Sequence, residues 1–147
     1  MVQAASFNGA EQSSEGQKTF TAVKESDKTK AAIATKQVSI NFRTGEYQLD
    51  ENSKYIIDDK FVEIAKAFSN SRIRIEGNTD NTGSVAGNRR LSEKRAQAVA
   101  DYLIDTYGMP RNRFIVVGNG PDKPVASNDT ESGRAKNRRT DFELVPD

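Results

Sequence analysis

A polar loop bounded by glycines, between a strand and a helix, constrains this chain more than any other feature of its sequence. Apolar and polar residues alternate over 73–76, which is typical of a half-buried strand, and the alternation ends at Gly77. A helical pattern then runs from about Leu91 to Tyr107. Asp80 is therefore predicted to lie in a loop at the carboxyl end of a strand, where ligands of α/β domains commonly bind.

One charged residue falls on the apolar side of this predicted helix. At about 100° per residue, one half of the helix carries Leu91, Ala96, Val99, Leu103 and Tyr107. Arg95 lies within that arc. Because an unpaired buried charge is costly, its guanidinium either is paired, lines a polar pocket, or extends to solvent over a packed stem. Asp80 is its most economical partner, directly or through a shared ligand.

The other elements follow from shorter patterns. Apolar and polar residues alternate over Val38–Phe42, which predicts a first strand, and the chain turns after this strand at residues 44–46. One amphipathic helix, capped by Asp50 or Ser53, is predicted from the stripe Ile57, Phe61, Ile64, Ala65 and Phe68. Further strands are predicted at 72–76, 113–117 and 140–145, and a short helix at 130–138 with Gly133 and Ala135 on its packed side.

The resulting order, β-α-β-α-β-α-β, predicts an α/β fold (an α+β sandwich) in which helices pack on one face of a mixed sheet. A small doubly wound unit is an alternative interpretation of its first five elements. Residues 1–36 are polar and predict a linker or a weakly ordered arm before a domain at 37–147. The N-terminus shows no signal-peptide core, so we expect a mature or excised fragment.

Composition excludes several kinds of chemistry. The 147 residues include no Cys and no His, which removes Cys–His and Ser–His–Asp nucleophilic catalysis and imidazole zinc sites. The net charge is +1, so no long-range field for nucleic acid is indicated. The Gly-rich turn at 118–121 lacks the spacing of a phosphate-binding motif, and we interpret it as an ordinary loop.

Three motifs together carry a resemblance to a known family. They are Gly-x-Thr-Asp-Asn-Thr-Gly at 77–83, Asn-x-x-Leu-Ser-x-x-Arg-Ala at 88–96, and Asn-Arg-Arg at 137–139. In this order they resemble the C-terminal-like domain of outer membrane protein A, whose family includes peptidoglycan-associated lipoproteins and flagellar stator proteins. The resemblance covers about residues 38–145. Asn78 stands where the family most often has His, and we interpret that position as support for the loop.

The resemblance implies a non-catalytic domain that holds the cell wall by capturing the diaminopimelate residue of peptidoglycan stem peptides. Asp80 would accept hydrogen bonds from the ammonium group of diaminopimelate, and Arg95 would offer a planar fork to its carboxylate. The backbone of Thr44, Gly45 and Glu46 would close the other side. The resemblance also assigns ligand-binding roles to Thr82, Asn88, Leu91 and Arg138.

The same resemblance implies no cofactor, no metal and no nucleic-acid partner. It implies a periplasmic location, with tethering to the outer membrane of a Gram-negative bacterium as one arrangement. Contact with a membrane would be indirect, through an anchor or partner domain outside this sequence.

Two other functions are open from the residues alone. The basic cluster of Arg134, Lys136, Arg138 and Arg139 is compatible with a protein-interaction face over 134–139. A carboxylate-dependent hydrolase would use Asp80 with Glu46 or Glu76, but the sequence shows no evident tuned acid–base pair.

Overall fold

The structure, a computed structural model, describes residues 37–145. The predicted arm at 1–36 lies outside the described residues. The strands are β1 (Val38–Asn41), β2 (Arg72–Asn78), β3 (Phe114–Gly118) and β4 (Arg139–Val145). The helices are α1 (Glu51–Lys60), α2 (Val62–Ala67), α3 (Val85–Tyr107) and α4 (Glu131–Asn137), with one 3-10 turn at Arg111–Arg113 before β3.

The four strands form one mixed sheet in the order β1-β4-β2-β3. The connection through α3 makes β2 and β3 parallel, whereas β4 inserts between β1 and β2 and runs antiparallel to both. The predicted mixed sheet is thus confirmed, and the doubly wound alternative is wrong because the last strand enters the centre of the sheet in the opposite direction.

The core lies between one face of the sheet and the long helices. Alternate strand residues such as Ile40, Ile75 and Phe142 are fully buried there, as expected for strands with one covered face. From α1 and α3 the core receives Ile57, Val99 and Leu103, also fully buried. The ring of Phe61 meets that of Phe142 edge to face, with centroids 4.9 Å apart. No helix in residues 37–145 combines the length and apolarity that crossing a bilayer requires.

The first predicted helix is two helices. The backbone leaves helical geometry at Phe61, with φ −127° and ψ −39°, and the chain resumes as α2. The consecutive residues Phe61 and Val62 are both almost fully buried, and the change in direction at this point lets both face the core. The Asp50 cap is confirmed, since its carboxylate accepts the N–H of Ser53 at 2.8 Å.

The central helix starts earlier than its apolar stripe. It begins at Val85 instead of about Leu91, because Ser84 Oγ accepts the N–H of Gly87 at 3.0 Å and caps the first turn. It ends at Tyr107, as predicted, with Gly108 in the left-handed conformation at φ +68°. This early start adds six residues, somewhat less than two turns of helix, beside the loop that carries Asp80.

Two glycines allow α3 to lie directly on the carboxyl ends of β2 and β3. A Cβ on Gly77 would lie 1.8 Å from the carbonyl oxygen of Ser92, and one on Gly118 would lie 2.8 Å from the backbone nitrogen of Glu93. Any other residue at Gly77 would therefore push the helix away from the strand. This close contact sets the depth at which Arg95, one turn further along α3, enters the interior.

Candidate ligand-binding site

Asp80 lies where the sequence predicts, in the loop after β2, and it is only 5% exposed. Its Oδ1 accepts the N–H of Thr82 at 2.8 Å, and its Oδ2 accepts Nη1 of Arg138 at 3.1 Å. Burial by itself would raise the pKa of Asp80, but these hydrogen bonds and the Arg138 charge outweigh it and lower the pKa. Asp80 is thus an ionised acceptor with about half of its lone-pair positions filled.

Arg138 joins three parts of the chain from the junction of α4 and β4. Besides Asp80, it donates from Nε to the carbonyl of Phe42 at 2.9 Å and from Nη2 to Glu131 Oε2 at 2.9 Å. Burial opposes its charge, but the two carboxylates more than compensate, and the pKa of Arg138 is raised. The guanidinium therefore stays charged and fixes the loop of Asp80 against the end of β1.

Arg95 is fully buried, so the hypothesis that its head extends to solvent is wrong. Its direct partners are three backbone carbonyls: Nε donates to Glu46 at 2.7 Å, Nη1 to Asn78 at 3.0 Å and Nη2 to Arg43 at 3.1 Å. Asp80 was expected as its partner, directly or through a shared ligand; its direct ion pair is instead with Arg138, which lies at the junction of α4 and β4. Burial lowers the pKa of Arg95 to about 10, and the nearby Asp80 charge partly offsets that effect.

The turn after β1 is held against the site by Arg95. Gly45 adopts φ +74° at its tip, and the N–H of Glu46 donates to the carbonyl of Arg43 at 3.1 Å. Because Arg43 and Glu46 both accept from Arg95, one guanidinium closes the base of the turn. Thr44, Gly45 and Glu46 are exposed. Among the described residues, the N–H groups of Thr44 and Gly45 donate to no backbone carbonyl.

The remaining predicted residues line or support the Asp80 loop. Thr82 is exposed, and its carbonyl accepts Nδ2 of Asn88 at 3.0 Å. Asn88 is itself buried and also approaches the carbonyl of Asp80 at 3.4 Å. Leu91 is half-buried on α3. The structure thus unites Asp80, Thr82 and Asn88 through hydrogen bonds, while Leu91 makes no polar contact with them.

Three residues outside the predicted ligand-binding set also support the site; Asn137 and Ser92 belong to the quoted motifs, whereas Glu131 was not singled out from the sequence. Glu131 links Arg138 to the start of α4. Asn137 is fully buried, and its amide receives the N–H groups of Val125 and Ala126, which fixes the loop before α4. Ser92 Oγ accepts the N–H of Gly120 at 2.9 Å. The N–H of Asn119 likewise donates to the carbonyl of Gly77. Because both N–H groups are occupied by hydrogen bonds within residues 37–145, the turn at 118–121 behaves as an ordinary loop.

The basic face expected at 134–139 does not form as a continuous surface. Arg138 and Arg139 are both buried, and Arg139 Nε pairs with Asp141 Oδ2 at 3.0 Å. Only Lys136 of the four cations is fully exposed. The sequence could not show this, because Arg138 pairs with Asp80, 58 positions away, and the burial of both arginines depends on where β4 enters the sheet.

Asp80 and Glu76, one of the two carboxylate pairs of the hydrolase hypothesis, do not form a tuned acid–base pair. A hydrogen bond from Asn119 lowers the pKa of Glu76, assisted by Lys123. Asp80 shifts in the same direction. A general acid at neutral pH needs a raised carboxyl pKa. The pKa is lowered in both Asp80 and Glu76, so neither group is suited to be the acid of the pair.

Known proteins agree with the fold and the motifs. Residues 41–138 match the OmpA family. Outer membrane porin F of Pseudomonas aeruginosa is 37% identical over 114 residues, which make up 78% of this chain and 32% of that protein. Peptidoglycan-binding protein ArfA of Mycobacterium tuberculosis is 45% identical over 88 residues, 60% of this chain and 27% of that protein. The chain thus spans about a third of the length of these curated relatives.

Solved structures show the same architecture. The peptidoglycan-associated lipoprotein of Burkholderia pseudomallei has a TM-score of 0.67 and 30% identity, covering 73% of this chain and 89% of that one. The cell wall anchor of the T6SS from Pseudomonas aeruginosa has a TM-score of 0.61 and 27% identity, covering 86% and 96%. The family match and the shared fold lead to one conclusion: the chain belongs to the OmpA family.

Proposed function

We propose that this domain binds peptidoglycan non-covalently through the diaminopimelate residue of the stem peptide, and so anchors a protein or membrane to the cell wall. The observation that carries the proposal is a buried charged cluster, Asp80, Arg95 and Arg138, beneath two exposed loops. Together with Glu131, which also pairs with Arg138, the cluster holds two carboxylates and two guanidinium groups. That cluster suits a ligand end that presents both a carboxylate and an ammonium group.

The ammonium group of diaminopimelate would be received by Asp80. Its oxygens still have acceptor capacity beyond Thr82 and Arg138. Thr82 is exposed beside it and offers a hydroxyl, and Asn88 keeps the loop in place from below. These contacts would be charge-assisted, which makes them the stronger class of hydrogen bond.

The carboxylate of diaminopimelate would lie at the turn formed by Thr44, Gly45 and Glu46. The N–H groups of Thr44 and Gly45 support this role, because neither donates to a backbone carbonyl within residues 37–145. Arg95 would contribute its charge and the two guanidinium N–H groups left after its three carbonyl bonds. Since Arg95 has no exposed surface, we propose that contact with it follows a shift of the turn, and that otherwise it acts as a positioning residue.

The names of relatives support the location as well as the ligand. ArfA is called peptidoglycan-binding, the lipoprotein peptidoglycan-associated, and the T6SS domain a cell wall anchor. We therefore propose that this domain works in the periplasm of a Gram-negative bacterium, joined to the outer membrane through a segment or partner outside this sequence. No observation favours the interaction-module or hydrolase alternatives over this function.

The deciding experiment is calorimetric titration with pentapeptides containing diaminopimelate, its amidated form or lysine, at one salt concentration. A site built for a group rejects analogues that lack it. A lost charge-assisted bond costs on the order of 1.5–3 kcal/mol, or roughly ten- to a hundredfold in affinity. We expect lysine and amidated peptides to bind that much more weakly. Equal affinity for all three would refute carboxylate recognition.

Two controls sharpen this experiment. Asp80→Asn should abolish binding of the diaminopimelate peptide, whereas Asp105→Asn, on the exposed side of α3, should leave it unchanged. Incubating the protein with purified sacculi and sizing any soluble fragments separates a binder from an enzyme. Release of muropeptides that depends on Asp80 would favour the hydrolase.

A further inference from the structure

A groove of about 410 Å³ lies beside the turn of the proposed site and has no part in the contacts described above. Its floor is apolar and consists of the half-buried Leu49, Ala98 and Tyr102, together with the ring of Tyr47, which is 38% exposed. Tyr47 directly follows Glu46, so the groove begins where the proposed carboxylate-binding turn ends. A ligand held at that turn would therefore reach the groove within one or two residues.

The rim of the groove carries an excess of positive charge. Lys94 Nζ lies 5.2 Å from the centre of the Tyr47 ring, a cation–π contact that holds both side chains at the mouth of the groove. Lys54 also lines the groove and makes only a long contact of 3.8 Å with Glu51. The one acidic side chain there, Asp101, already accepts Nε2 of Gln97 at 2.9 Å. Two cations on the rim thus remain available to an acidic group.

We infer that this groove receives the segment of the stem peptide that precedes diaminopimelate, with the free α-carboxylate of its γ-linked glutamate facing Lys94 and Lys54. The inference rests on the proposed function and names a second subsite. The aliphatic side chain of the glutamate and the methyl group of the preceding alanine match the apolar floor. The carboxylate matches the rim, and the groove adjoins the turn that would hold the next residue.

The test compares two tripeptides, alanyl-γ-glutamyl-diaminopimelate and the same peptide with the glutamate α-carboxylate amidated. Exposed ion pairs are weak, so we expect amidation to lower the affinity of the wild type about two- to fivefold. In the Lys94→Gln variant, amidation should change the affinity little or not at all. In Lys54→Gln, the effect of amidation should also be smaller than in the wild type. Lys60 is an exposed lysine on α1 outside the groove, so the Lys60→Gln variant should lose as much affinity on amidation as the wild type does. An equal loss in wild type, Lys94→Gln and Lys54→Gln would overturn the inference.

A second readout does not depend on the lysine variants. In NMR titrations, the tripeptide should shift the backbone amide signals of Leu49 and Ala98, whereas free diaminopimelate should shift only those at 44–46 and 80–82. Identical shifts with both ligands would refute the subsite and leave the proposed function standing. Failure of both tripeptides to bind at all would refute the proposed function, and this inference with it.

Discussion

Arg138 Nη1 lies 3.1 Å from Asp80 Oδ2, and both side chains are more than nine-tenths buried. The pair joins the loop after β2 to the start of β4, two segments separated by 58 positions in sequence. Glu131, an exposed residue on α4, forms a second ion pair with the same guanidinium. The ion pair therefore makes the shape of the proposed ligand site depend on the last strand of the sheet.

Loss of one partner of this pair should destabilise the domain strongly. Arg138→Gln leaves Asp80 buried without its cation, and breaking a buried pair costs about 3–5 kcal/mol. Urea unfolding of Arg138→Gln, Asp80→Asn and the double variant measures the coupling between the two residues. We expect the double variant to lose much less than the sum of the single losses. Strict additivity would mean that the pair contributes no mutual stabilisation.

Arg95 should be required for stability as well as for any ligand contact. Arg95→Ala removes one donor from each of the carbonyls of Arg43, Glu46 and Asn78. The Arg43 carbonyl keeps the N–H of Glu46, and each buried carbonyl left without a partner costs about 1–3 kcal/mol. Arg95→Lys keeps the charge, but one ammonium group cannot meet three carbonyls in the geometry of a planar fork. We expect the free energy of unfolding to decrease from the wild type to Arg95→Lys and further to Arg95→Ala.

The measurement for Arg95 is the free energy of unfolding in urea, with hydrogen exchange at 43–46 as a local readout. Exchange at this turn should accelerate in both variants even where the global fold survives. Arg111→Ala, an exposed arginine with only a 3.9 Å contact to Asp101, is the matched control. Protection of the turn equal to wild type in Arg95→Ala would contradict the positioning role.

The contact between Gly77 and α3 should not tolerate even a methyl group. Gly77→Ala would place a Cβ 1.8 Å from the carbonyl oxygen of Ser92, so helix and strand must separate, and overpacking of this kind costs about 1–3 kcal/mol or more. Gly45→Ala is the matched control: it has open space around the new Cβ but a φ of +74°, and should cost only about 1–2 kcal/mol. Thermal unfolding of both variants checks the order. A smaller loss for Gly77→Ala than for Gly45→Ala would show that α3 can move freely.

Stability should fall at acid pH because buried carboxylates are tied to donors. The folded pKa of Asp80 lies below its usual value of 3.8, and the pKa of Glu76 is also lowered. The unfolded chain therefore takes up protons first, so the stabilisation is complete above the ordinary values of 3.8 for Asp80 and 4.5 for Glu76 and disappears as pH falls through the lowered folded pKa values. We expect the melting temperature to drop as the pH falls below 4.5, and less steeply in Asp80→Asn than in Asp105→Asn. If the melting temperature falls equally steeply with pH in both variants, Asp80 does not contribute to the pH dependence of stability.

Local patterns were sufficient to predict much of the fold. Alternation located the strands, and the apolar stripe with Gly108 located the end of α3, because burial on one face imposes a period that is visible in the chain itself. The position of Asp80 after a strand, and the place of Arg95 within the apolar arc, also followed from periodicity, whereas the burial of the Arg95 guanidinium did not. The start of α3 could have been found from Ser84, a good N-cap residue seven positions before the stripe begins.

The pairing of charges was decided by the tertiary structure alone. Periodicity shows that Arg95 faces inwards, but not that the turn at 43–46 brings carbonyl groups to it, since those groups are about 50 residues away. It likewise could not show that Arg138, rather than Arg95, reaches Asp80. That choice depends on β4 inserting between β1 and β2. The side of a strand or helix on which a residue lies is thus encoded by its neighbours in the chain. Its partner, and the burial of cations such as Arg138 and Arg139, is set by which distant segment the sheet brings alongside.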